Sequence, residues 1–334
     1  MTYGLAYGLC LIVVSSYPYA APAVTSLTRD DVKYTTPEEH FVTLRRGEIT
    51  AIIVGNHAID NDELPGHRAG YNGVACLKHA RRPENLFVGA LAGLNFEHIH
   101  DGTLSVSQEK FAPRTAPMHL RKIDAQTIEL YQPPTKPWML ESCGRFHLLE
   151  DGVIEYTFEC IPRAEVFTQG YMGLFWASYI EEPEDGAINF IATTSGARDT
   201  GKLLHSVSPQ HGVNATHPPA VQLPDIRIDP EFPLKLVTGR SPYVYTKPWY
   251  YGVSHGMAFV QMFRPDDHIW FAQSPSGGGG RNPAWDFQWF VPDVRVGRAY
   301  GFIMRAAYLP YRDHEQVARE CRPHRKVLDP RESP

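Results

Sequence analysis

The chain of 334 residues lacks a basic excess: 32 Lys and Arg stand against 37 Asp and Glu, a formal charge of −5. A protein that neutralises nucleic-acid phosphates usually shows the opposite balance, so no nucleic-acid partner is expected. Long apolar runs are also missing. Only residues 4–14 are continuously apolar, and that stretch is shorter than the ~20 residues a spanning helix needs. No membrane span is therefore expected in the mature chain. There is no CxxC, and the glycines at 277–280 are not followed by the Lys-Ser/Thr of a phosphate loop. No repeat of 20–50 residues is visible, which argues against a propeller or solenoid. No cofactor is expected.

What is present is a globular composition, 43% hydrophobic and 12% aromatic, punctuated by 27 Gly and 28 Pro. Turns should be frequent and helices few. Short, often alternating apolar segments between turn signals predict strands over residues 41–44, 50–54, 127–130, 173–180 and 187–193. Further strands are expected over 234–238, 257–263, 268–271, 287–291 and 300–308. Helical turns are expected only at 36–39 and 314–320. With no βα alternation, the fold class is all-β, a large antiparallel β-sandwich with few short helices. It forms a single domain over 32–315, followed by a C-terminal tail over 316–334. Ahead of it, the apolar run and the small residues and prolines of 15–23 read as a signal peptide over 1–23. A secreted or periplasmic protein is the expectation.

Five cysteines occur, and Cys10 would leave with such a leader. The segment 143–160 reads as a hairpin about a two-residue Asp151-Gly152 turn. That register sets Cys143 opposite Cys160, a disulfide in an oxidising compartment and two packed thiols in a reducing one.

The densest polar stretch runs from Asn95 through Glu97, His98, His100 and Asp101. In an extended chain His98 and His100 share one face, with Glu97, Ile99 and Asp101 opposite. Paired imidazoles suit general acid/base work near neutrality, and could alternatively hold a divalent metal with a third ligand from elsewhere. His211, in a long loop, and His255, before an apolar strand, are candidate catalytic partners. Arg145, on the hairpin, is a candidate anchor for an anionic or hydroxyl-rich group. Trp285 and Asp286, beside the glycine flap, are expected at a cleft rim, where flat rings can pack against sugar C–H faces.

Asn95 followed by His98-Ile-His100-Asp101-Gly102 resembles the Asn…His-Gly-Gly region of the aldose 1-epimerases and the wider galactose-mutarotase-like proteins. The resemblance implies a supersandwich over residues 40–310 and a carbohydrate ligand or substrate, with Asn95 among the substrate-binding residues. Two features depart from the family. The strand expected to carry its second histidine reads Gly173-Leu-Phe-Trp176-Ala-Ser-Tyr179, and its C-terminal catalytic glutamate has no counterpart. The functional expectation is histidine-based proton transfer on a sugar, of epimerase, lyase or hydrolase type. The alternatives are a non-catalytic carbohydrate-binding protein and a metal-dependent sugar enzyme using His98 and His100.

Overall fold

A computed structural model describes residues 19–197, 200–221 and 226–332. Its strands begin with β1 (Phe41–Arg46), β2 (Ile49–Val54), β3 (Gly73–His79), β4 (Asn95–His100) and β5 (His119–Lys122). Next come β6 (Thr127–Thr135), β7 (Leu140–Leu148), β8 (Ile154–Pro162), β9 (Tyr171–Ala177), β10 (Ile188–Thr194) and β11 (Lys202–Ser206). The last are β12 (Thr216–His217), β13 (Tyr243–Ser254), β14 (Met257–Phe263), β15 (Trp270–Gly279), β16 (Asn282–Pro292) and β17 (Tyr300–Pro310). Among the described residues, helical structure is confined to 3₁₀ turns at Leu104–Phe111 and Pro265–Asp267 and to α1 (Ala112–Thr115), α2 (Lys235–Thr238) and α3 (His314–Leu328). The expected all-β antiparallel sandwich is what the chain builds.

Nine strands form one sheet in the order β11-β10-β13-β14-β17-β8-β7-β6-β5, and five form a second, β12-β15-β16-β9-β4. Strands β1, β2 and β3 make a small third sheet. Alternate side chains of the two large sheets meet in one apolar core. Phe158 of the nine-stranded sheet meets Trp176 of the five-stranded one edge-on at 4.8 Å, and Trp289 meets Phe302 at 5.2 Å. Each fully buried ring of this kind contributes roughly 1.5–3 kcal/mol through the area it removes from water.

Several expectations are corrected. The residues placed in a C-terminal tail belong mostly to α3, capped by Asp313, whose carboxylate accepts the Gln316 N–H at 2.7 Å. Val317, Cys321 and Leu328 pack on Trp249, Val260 and Met262, so this helix covers the outer face of the nine-stranded sheet. Residues 235–238 are the turn α2 rather than a strand, and 36–39 contain bends at 38 and 39 but no helix. Apolar content alone does not distinguish a strand from a buried helical turn.

The hairpin register also differs. Leu149 N–H bonds Val153 O, leaving a loop of three residues in which Gly152 takes φ +83°, the left-handed position of a bulged hairpin. Cys143 therefore faces Glu159, and Ser142 faces Cys160. Cys160 joins the inter-sheet core, and both cysteines are free, buried thiols. The one-residue shift sends them to opposite faces.

Residues 1–18, with Cys10 and the apolar run, lie outside the described residues. The expected boundary at residue 23 cuts a packed segment. Tyr19 is buried with its hydroxyl 3.1 Å from His268 Nδ1, and Ala20 bridges Tyr300.

Candidate active face of the five-stranded sheet

In β9 and β16 the residues Met172, Leu174, Trp176, Trp285, Phe287 and Trp289 all enter the inter-sheet core. Alternation sends their neighbours to the opposite face. That outer face is built in cross-strand rungs. One rung carries Ala272, Asp286, Ala177 and Asn95; the next carries Trp270, Gln288, Phe175 and His98. A third joins Phe290, Gly173 and His100. Asn95, His98, His100 and Asp286 are thus gathered on one surface, from strands far apart in sequence.

A register shift between Phe96 and His98 changes the expected side of Glu97. The bulge turns this carboxylate to the same side as the histidines instead of opposite them. Its Oε1 accepts the Tyr179 hydroxyl at 2.7 Å and Arg114 Nη1 at 2.8 Å. Arg114 also donates to Gly70 O at 2.9 Å and lies 4.0 Å over the Tyr71 ring. Burial pushes the Glu97 carboxyl up, and the Arg114 charge and both hydrogen bonds act against that rise. Glu97, Tyr179 and Arg114 were missed by sequence reasoning. The alternation of Tyr171, Gly173, Phe175, Ala177 and Tyr179 would have found Tyr179, whereas nothing in the sequence marks the bulge.

The histidines sit under cover. His98 lies between Phe111 and Phe175, with ring centroids at 4.7 and 5.1 Å. His100 packs against Phe232 at 5.2 Å and over Gly173, where a Cβ would come within 2.4 Å of the imidazole. Burial lowers both pKa values, that of His100 to about 3, and the nearby Lys110 and Arg114 charges lower His98 further. Both rings are neutral at neutral pH, each offering one N–H donor and one acceptor nitrogen. Neither ring nitrogen of either histidine, nor the amide oxygen or nitrogen of Asn95, has a hydrogen-bond partner among the described residues. No third His, Cys, Asp or Glu joins the two histidines in an arrangement able to hold a metal ion among the described residues.

The other expected site residues do not all converge here. His211 lies on the same side, exposed, its Nδ1 3.0 Å from Ser274 Oγ. His255 is elsewhere, at the exposed tip of the β13–β14 hairpin with φ +51°, its N–H donating to Glu184. It was expected to point inward from a strand end; the turn conformation sends it out. Arg145 belongs to the nine-stranded sheet, where Nε and Nη2 donate to Glu129 Oε1 at 2.9 and 2.7 Å. Its fork is occupied by a partner that is itself fully buried. Trp285 is no rim residue. It is fully buried in the core, with Nε1 donating to Gly186 O at 3.1 Å and its ring against Gly252.

No family model matches the chain, and no curated protein matches it. Solved structures give a likeness at the level of fold. A putative aldose 1-epimerase from Escherichia coli K12 is 10% identical, covers 81% of this chain and 99% of its own, and superposes with a TM-score of 0.45. A heparan sulfate lyase from Pedobacter heparinus, 11% identical, covers 87% of this chain and 40% of its own at 0.41. An alpha-N-acetylgalactosaminidase from Bifidobacterium bifidum, 9% identical, covers 86% and 39% at 0.46. The chain is similar to these structures in architecture.

Proposed function

We propose that the protein is a carbohydrate-active enzyme and that the outer face of the five-stranded sheet is its active face. The observation that carries this reading is the set of six hydrogen-bonding atoms on Asn95, His98 and His100 that have no partner among the described residues. A buried polar atom left unpaired costs roughly 1–3 kcal/mol. Three such side chains on adjoining rungs are a heavy burden unless a ligand satisfies them. A sugar hydroxyl both donates and accepts, which is what an amide and two neutral imidazoles require. The Asn95–Gly102 motif, the stretch that resembles the sugar-active family, supplies these residues.

In this reading Asn95 orients the sugar and His98 or His100 accepts a proton from it. Burial keeps both imidazoles weak bases while covered, and withdrawal of the cover relieves that burial and raises their basicity toward neutrality. His211 reaches the same side from its loop and is the remaining histidine placed to take part. Arg145 and His255 have no role in it. The sugar reaches the face when the cover formed by residues 104–115 and 226–238 withdraws, lifting Phe111 from His98 and Phe232 from His100. The reaction is proton transfer of epimerase, lyase or hydrolase type. Export by the N-terminal apolar segment is part of the same proposal and suits an enzyme that meets glycans outside the cell.

The test is turnover on a panel of neutral and acidic glycans by the intact protein and by His98→Ala and His100→Ala separately. Loss of turnover in both, with unchanged far-ultraviolet circular dichroism, is expected. Full activity in both variants would retire the assignment. Glycan binding without turnover by the intact protein would favour a binding protein using the same face.

A further inference from the structure

The outer face holds a second carboxyl group whose surroundings differ from those of Glu97. Asp286 is fully buried in the middle of β16. Its Oδ1 accepts one hydrogen bond, from the Ser178 N–H at 3.0 Å. Where Glu97 has the Arg114 guanidinium, Asp286 has no cationic partner among the described residues. The titratable groups close enough to act on it electrostatically are Glu97 from β4, the Tyr179 phenol next to Ser178, and Tyr250 from the nine-stranded sheet. The Tyr250 hydroxyl donates to the Asp286 backbone carbonyl at 2.8 Å and not to its carboxyl. The cross-strand neighbours on either side are Ala177 and Ala272, too short to reach its second oxygen.

An ionised carboxylate here would be a buried charge with a single N–H for compensation and a second acid nearby, an arrangement that burial strongly disfavours. The uncharged acid avoids most of that cost and turns an acceptor into an O–H donor. We infer that Asp286 is a further working residue of this face: a neutral carboxylic acid whose Oδ2–H is presented to an acceptor oxygen of the bound ligand. Burial raises its pKa well above the ordinary carboxylate range, and the Glu97 charge adds to the rise. On the rung it shares with Asn95, one small alanine away, the acid complements the amide, so a ligand oxygen seated there meets a donor from each side. Identifying the ligand as a sugar rests on the reading above; the protonation state does not.

Infrared difference spectra between the unaltered protein and Asp286→Asn at pH 7 test the inference. A protonated-carboxyl stretching band present in the first and absent from the second is expected, because asparagine keeps the shape and the neutrality. Should the asparagine chain fail to fold, Glu97→Gln supplies the second measurement. Removing the neighbouring charge should lower the pH at which the band disappears. Loss of an ionised-carboxylate band in place of the protonated one, or a band that vanishes in the ordinary carboxyl range, overturns the inference. On glycans, Asp286→Ala, which removes the donor altogether, should weaken binding at least tenfold, while Asp286→Asn, whose amide N–H can stand in for the O–H, should bind within a few-fold of the unaltered protein. If the band is present but the unaltered protein binds no glycan, the carbohydrate reading fails while the neutral acid stands.

Discussion

The His100 imidazole lies directly on the backbone of Gly173, so close that a Cβ at 173 would sit 2.4 Å from its Cε1. Glycine is required there because the opposing ring fills the space a side chain would take, on the rung the two residues share. Gly173→Ala should therefore displace His100 or bend β9, at a cost of about 1–3 kcal/mol for overpacking. Urea denaturation of the variant measures it, and the neutral His100→Ala background should absorb most of the loss.

The same ring sets an acid sensitivity. An unfolded histidine titrates near 6.5, while burial holds His100 at about 3 in the fold. The folded pKa is depressed, so the unfolded chain binds the extra proton first and stability falls as pH drops from about 6.5 toward 3. The limiting slope is roughly 1.4 kcal/mol per pH unit for one such group. His98 shifts in the same direction and adds to it. Between pH 7 and pH 5 the denaturation midpoint of the intact protein should fall relative to that of His100→Phe, whichever is the higher at pH 7. Parallel curves would count against the buried neutral ring.

Arg114 and Glu97 form a pair with little exposure, 19% and 9% for the two side chains. Removing only the cation leaves a buried carboxylate with the Tyr179 hydroxyl alone, so Arg114→Met should cost about 3–5 kcal/mol. Adding Glu97→Gln should recover a large part. A double-mutant cycle in urea reads the coupling, and additive losses would show that the two groups act independently.

The four described cysteines are free and buried, and burial pushes the Cys143 and Cys160 thiols well up. Native protein should resist alkylation at Cys76, Cys143, Cys160 and Cys321 and react at all four once unfolded, with or without reductant. A mass lower by two hydrogens in a peptide pair containing Cys143 and Cys160 would contradict the observed register.

Most of the fold was legible in the sequence because alternation and turn residues report locally on half-buried strands. Residues 257–263 and 300–308 fall inside observed strands for that reason. Their pairing depends on turn geometry, and one extra loop residue at Gly152 moved Cys143 away from Cys160. The site was legible in part. His98 and His100 share a face as period-two alternation requires, whereas Asn95 joins them only because the bulge at Glu97 resets the alternation. The bulge at Glu97, the partner that occupies Arg145 and the core position of Trp285 are tertiary facts that no local pattern encodes.

The central claim is that the unpartnered groups of this face are kept for a ligand at the expense of stability. Asn95, fully buried and with neither amide atom paired among the described residues, isolates that claim. Replacing it by leucine, of similar size and without polar atoms, removes the unmet hydrogen bonds. The deciding measurement is therefore Asn95→Leu followed by both urea denaturation and glycan binding. The account predicts a chain more stable by about 1–3 kcal/mol that no longer binds the sugar bound by the intact protein. A destabilised chain, or one that binds sugar undiminished, would contradict it.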